Sequence, residues 1–337
     1  YTDIDKPSDY FNTKLYTGTG STQSITGVGF QPDWVWIKDR DAANWNCLMD
    51  AVRGASKVIY SNESDAEATV STLLTSFDSD GFSLGAAADG NRNTANFASW
   101  NWKAGGSASS NSNGSITSSV SVNQDAGFSI VSFTGNATAG ATIGHGLNSV
   151  PSLILTKNRD SAYNWHLWTH AFSSYNDTIQ LNTTAAKDTG TLLNNTAPTS
   201  SLITLGNSAV LNASGEKIIA YVFAEKQGYS KFGSYTGNGN ADGTFVYTGF
   251  KPAFILAKDA DSSDNWIIHD TTRNPSNPVG AYLRPNLSSA EGTFSHYDIL
   301  SNGFKNLYAG GSLNGSGKNI IYMAFAENPF VTSTGVP

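Results

Sequence analysis

One order of motifs runs through this chain three times, and that repetition constrains the fold more than any other feature. Each copy opens on an aromatic residue followed by Thr and Gly: "LYTGTG" from Leu15, "SFTGNA" from Ser132 and "SYTGNG" from Ser234. A Gly-apolar step and a proline follow, ending at Pro32, Pro151 and Pro252. Then come apolar runs closed by lysine, "WVWIK", "LILTK" and "FILAK", and polar loops ending in Asn-Trp at Trp45, Trp165 and Trp266. Each copy finishes on an apolar segment: "NFASWNWKA", "KIIAYVFAE" and "NIIYMAFAE". Motifs that recur in a fixed order mark a duplicated structural unit, each copy building the same elements.

The elements read as strands. "DWVWIK" and "SLILTK" are short, rich in β-branched and aromatic residues, and bounded by proline and polar turns. "EKIIAYVFAE" has the apolar count of a short buried helix, but the turn "NASG" before it, matched by "NGSG" in the third copy, favours a hairpin entering a central strand. The expected fold is all-β: three homologous β-sandwich-like modules in tandem, jelly-roll or lectin-like. The boundaries fall at 1–104, 127–226 and 227–337. Between the first two lies a Gly/Ser/Asn-rich linker, 105–126, whose second half "SITSSVSVN" alternates well enough to form an edge strand. Hydrophobic residues at 39% and aromatics at 12% supply real cores, while charged residues make up only 14%.

A net charge of -7 argues against a nucleic-acid binder and against docking on anionic lipid. No apolar run approaches the roughly 20 residues of a membrane helix. The chain opens "YTDIDKPSDYF", without a signal core and without an initiator Met, which points to a piece of a longer or processed protein. Cys47 is the single cysteine, so no intrachain disulfide forms and no cysteine-based zinc site is available. It lies in an apolar strand and reads as a buried structural thiol.

Asp50 and Arg53 share an i, i+3 spacing with Asp270 and Arg273; in the middle copy the matching positions read as His170 and Ser173. Such pairs pin a turn to its own sheet, or offer carboxylate and guanidinium to sugar hydroxyls. Repetition speaks against catalysis. Trp45, Trp165 and Trp266 read as equivalent core residues, with sugar stacking as the alternative. Alternation puts Trp34 with Trp36, and Trp100 with Trp102, on one face each. The loop carboxylates Asp39, Asp41, Asp160, Asp259, Asp261 and Asp264 could offer hard oxygens to Ca²⁺, but no EF-hand or other metal motif is present, so no cofactor is implied. The histidines are scattered, and no HExxH, Gly-x-Ser-x-Gly or phosphate-loop pattern occurs. The candidate ligand contacts are therefore the polar loop groups Asp41, Asn44, Arg53, Arg159, Asn164, Asp261, Asn265 and Arg273, placed to gather at one end of each sandwich.

The stretches "YFNTKLYTGTGSTQSITGVGFQPDWVWIKDRD", "VRGASK", "SFDSDGFSLG", "NWKAGG", "GSITSSVSVNQDAGFSIVSFTGNATAGATIGHGL" and "YSKFGSYTGNGNADGTFVYTGFKPAFILAKDAD" resemble a poorly characterised module of virion proteins. It recurs in tail fibres or other adhesion proteins of marine tailed phages, especially those of cyanobacteria. The resemblance covers nearly the whole chain. It implies a virion or extracellular location, a host cell-surface glycan and other virion proteins as partners, and admits a homotrimer. It supplies no catalytic residue. The expectation is a structural or adhesion module that binds host carbohydrate without cutting it; a glycan depolymerase is the alternative.

Overall fold

The computed structural model describes residues 2–331; residue 1 and residues 332–337, the outermost positions of the expected first and third modules, lie outside the described residues. Among the described residues the fold is almost entirely antiparallel β-structure, with three single-turn α-helices at Ala88–Asn91, Ala209–Asn212 and Gly311–Asn314.

One strand order recurs in each third of the chain. The opening strand pairs with the closing one, that with the strand carrying the shared lysine, and that in turn with the strand after the polar loop. In the first third these are Phe11–Thr17, Asn96–Trp102, Trp34–Asp39 and Cys47–Asp50; in the second, Phe128–Thr134, Lys217–Phe223, Leu153–Asn158 and His166–Thr169; in the third, Ser230–Thr236, Asn319–Pro329, Phe250–Asp259 and Ile267–Asp270. A smaller sheet covers one face of each, built in the first third from Gln23–Thr26, Gly81–Leu84 and Leu74–Asp78. The 105–126 stretch carries two strands, Ser109–Asn111 and Ser118–Asn123, which extend the middle sheet; the first of them forms its edge.

The apolar runs follow from a second packing surface. Period-2 alternation sends Val35 and Ile37 toward the small sheet and Trp34 and Trp36 the other way. That second face meets the other two thirds in one shared core. Trp34 stacks on Tyr221 at 4.4 Å, Trp100 meets Phe254 at 5.9 Å, and Phe223 meets Phe325 at 5.7 Å. A sheet covered on both faces needs apolar residues at successive positions, not alternate ones.

The shared Thr-Gly has a steric cause. A Cβ on Gly18, Gly135 or Gly237 would stand 2.2, 2.3 and 2.3 Å from the carbonyl oxygens of Arg92, Ala213 and Gly315, just past each short helix. Only glycine permits that approach. Beside it a buried asparagine closes the opening loop in every copy. Asn91 Oδ1 accepts from Thr19 N, Asn212 Oδ1 from Asn136 N and Asn314 Oδ1 from Asn238 N, at 2.8, 2.8 and 3.0 Å.

Candidate functional site

The polar loops are built the same way three times. Lys38, Lys157 and Lys258 are buried, and each ammonium donates to carbonyls of the loop that follows, such as Lys38 to Asp39 (2.9 Å) and Lys157 to Asn158 (2.7 Å). Burial pulls all three lysines down to about 8. Asp39, Asn158 and Asp259 then turn the chain by accepting two backbone N–H groups each. Asp41, Asp160 and Asp261 accept the first N–H of the closing strand, from Asn96, Lys217 and Asn319, at 2.8, 2.7 and 2.8 Å.

The eight predicted contact residues are all bonded within the chain. Arg53 and Arg273 are buried in ion pairs with Asp50 and Asp270. Arg159 is held by Glu67 through two bonds of 2.8 and 3.0 Å. Asn44 donates to Asp39, Asn164 to Gln180, and Asn265 accepts from Asn286. Asp41 and Asp261 are exposed while capping strands. Among the described residues no group of three or more His, Cys, Asp or Glu side chains is placed to hold a metal ion. Cys47 is fully buried.

Two equivalences need correction. Trp45 is 41% exposed and leans on Tyr60, whereas Trp165 and Trp266 are buried. The three loops have the same length, but Asn-Trp stands one position earlier in the first copy: the eight-residue step from Lys157 to Trp165 and from Lys258 to Trp266 leads from Lys38 to Asn46. The bonding agrees: Asn46, Trp165 and Trp266 donate their backbone N–H to Asn62, Asn182 and Asn286. The strand register likewise sets Asp50 and Asp270 opposite Trp34 and Phe254, and Thr169 opposite Leu153. The middle-copy partners of the Asp-Arg pairs are therefore Thr169 and Phe172, not His170 and Ser173.

These positions join the copies into a ring. Trp165 Nε1 donates to Tyr60 O in the first copy (2.8 Å), Trp266 Nε1 to Gln180 O in the second (2.9 Å), and Asn46 Nδ2 to Leu287 O in the third (2.9 Å). Backbone bonds repeat the circuit: Glu67 N to Arg159 O, Glu291 N to Arg40 O and Lys187 N to Ala260 O. Two of the three seams add buried polar knots. Asp50 pairs with Arg53 and accepts from Tyr221 Oη (2.7 Å); Asp270 pairs with Arg273 (2.5 Å) and accepts from Trp100 Nε1 (3.0 Å).

The altered ending of the middle copy lines an open cleft of about 300 Å³, with Val150, Trp168, His170, Phe172 and Tyr175 in its walls. Tyr175 is 41% exposed and stacks on Trp168 with centroids 6.0 Å apart. The Trp168 indole N–H is buried without a partner. His170 Nε2 donates to the Phe232 carbonyl (2.8 Å), which leaves Nδ1 as an acceptor. Ser173 and Ser174 add hydroxyls, and no carboxylate, lysine or arginine is in the lining. A cleft of about 270 Å³ at the equivalent end of the third copy is different: its Lys251 and Glu327 pair at 2.9 Å, and Thr271 donates to the same carboxylate.

Fold and sites together define an all-β, sandwich-like protein in which polar loops serve the seams and one neutral aromatic cleft stays open. The chain belongs to the family described as "Domain of unknown function (DUF7483)", whose model matches residues 6–329. No curated protein and no solved structure matches the chain.

Proposed function

We propose that this protein is a non-enzymatic structural or adhesion module of a virion that binds neutral carbohydrate of the host surface through the middle-copy cleft. The observation that carries the reading is the cleft itself. Its aromatic walls offer a surface for the C–H face of a pyranose, and Ser173, Ser174 and His170 offer partners for the hydroxyl rim. The resemblance to phage adhesion modules supports the setting. Weak single contacts suffice there, because many copies on one particle multiply affinity by about 10²–10⁴. Contact falls on the cleft rather than on the loop groups, whose hydrogen bonds are already taken up within the chain.

The test is a glycan array followed by titration of the best neutral hit. Tyr175→Ala removes an exposed ring and should weaken binding roughly tenfold, while the melting temperature stays near that of the parent. Unchanged binding in Tyr175→Ala removes the cleft from the proposal. Progressive shortening of host polysaccharide by the intact chain points to the depolymerase instead.

A further inference from the structure

The small sheet of the third copy carries a second group of aromatic side chains around an arginine. Phe294 is 44% exposed, and its ring meets Tyr308 at 4.7 Å and His296 at 4.9 Å. Tyr282 meets His296 from the other side at 5.3 Å. The Arg284 guanidinium stands 5.0 Å over the Tyr282 ring and donates to its hydroxyl at 3.2 Å. Burial disfavours charge on both rings; with His269 Nδ1 donating to Ala281 O (3.0 Å), a neutral His269 accepts at Nε2 from His296 Nδ1 (3.0 Å) beneath the cluster.

Two details set this group apart from ordinary packing. Arg40, Arg53, Arg92, Arg159 and Arg273 all hold carboxylates, whereas Arg284 makes no ion pair among the described residues, and its Nε is buried without a partner. The aromatic rings are also given room by glycine. A Cβ on Gly292 would lie 2.4 Å from the Tyr282 ring, and one on Gly310 would lie 2.0 Å from that of Tyr308. Both tyrosines therefore lie against bare backbone, one on each side of the Phe294–His296 pair.

We propose that this face binds a carboxylate-bearing sugar, a uronic acid unit of an acidic polysaccharide. A guanidinium that no carboxylate of the described residues holds matches the two in-plane oxygens of a carboxylate. The exposed Phe294 and the adjoining Tyr308 offer ring faces to the sugar's C–H side. The inference rests on the carbohydrate reading above but uses different residues, so the chain would carry a neutral cleft on its middle copy and an acidic-sugar face on its third.

Calorimetric titration of the intact protein with an oligogalacturonate, and with a neutral galactose oligomer of equal length, separates the two. Oligogalacturonate should bind at low salt. Arg284→Met should weaken it roughly tenfold or more, Arg284→Lys less, and Phe294→Ala several-fold. Tyr175→Ala should leave it unchanged, which keeps failure of the cleft distinguishable from failure of this face. Absence of oligogalacturonate binding, or parental affinity in both Arg284→Met and Phe294→Ala, overturns the proposal. So does loss of acidic binding in Tyr175→Ala alone.

Discussion

Between the first and second copies the chain buries Asp50, Arg53 and Tyr221 in one hydrogen-bonded knot; between the second and third, the same places hold Thr169, Phe172 and Met323. Around the knot, Arg159 and Glu67 pair across the seam, while their counterparts Ala260 and Lys187 share only a backbone bond. Lys187 turns to Asp177 in its own copy and lies over the Phe172 ring at 5.7 Å. The apolar version closes well: the space left beside Thr169, Trp266 and Met323 is about 10 Å³, at or below what one water needs. Desolvating an ion pair costs about as much as its attraction returns, so a seam can be written either way if every group in it is satisfied. What a seam cannot tolerate is half of one version.

That comparison breaks or holds on three measurements. The largest effect is expected from stranding a charge. Arg53→Met leaves Asp50 buried without its cation and should cost roughly 3–5 kcal/mol in denaturant unfolding. The triple change Asp50→Thr, Arg53→Phe and Tyr221→Met writes the second seam into the first and should cost less than the single change. A triple variant weaker than Arg53→Met would show that the two seams are not interchangeable.

Next in size is the ring of inter-copy donors. Trp266→Ala should cost roughly 3–5 kcal/mol, since it opens a cavity and strips the donor from Gln180 O. Asn46→Ala should cost about 1–3 kcal/mol, for a smaller side chain whose loss strips the donor from Leu287 O. Trp45→Ala should fall below both at about 1 kcal/mol or less, because its ring is partly in solvent. Equal losses at Trp45 and Trp266 would restore the equivalence that the strand register denies.

A further effect comes from acid. All five histidines lie in the second and third copies. Burial holds His166 and His296 down to about 4, with the Arg284 charge adding to the effect on His296, and pushes His269 well below its ordinary range, with His296 and Arg273 adding to it. Their folded pKa values are depressed, so between pH 6.5 and about 4 the unfolded chain binds more protons than the folded one. Stability should therefore be lost as the pH is lowered through that window, by at most about 1.4 kcal/mol per pH unit for each histidine. His166→Gln with His296→Gln should flatten a plot of unfolding midpoint against pH; a slope unchanged by the pair would assign it elsewhere.

The repeated order of strands was legible because each local signal agreed with the next: proline before an apolar run, lysine after it, a polar turn beyond. The shared lysines were visible as letters, but their role was not, since a charge at the end of an apolar run reads as a surface residue until the loop curls over it. The buried asparagines Asn91, Asn212 and Asn314 recur at one place, seven residues before Ala98, Ile219 and Ile321, and a position-by-position alignment of the copies would have found them. The misplaced tryptophan had the same origin: Asn-Trp stands one position earlier in the first copy, a shift inside a loop of unchanged length that the strand register exposes. The cleft and the Arg284 face lay beyond reach for a different reason. Trp168 and Tyr175 are ordinary aromatics until one strand and the following turn stack them, and Arg284 is one arginine among several until the others are seen to be paired.

The closure of the ring also fixes when the molecule can finish folding. Arg40 and Glu291 are 251 positions apart, and Trp100 and Asp270 are 170 apart. Long-separation contacts form slowly, and a ribosome delivers their second partner last. Trp100, Trp102 and Phe11 therefore wait for Phe254 and Phe325 to be synthesised before their ring faces are covered. A nascent chain that stops after its second copy carries an open aromatic wall, which makes the third copy the covering step of the first.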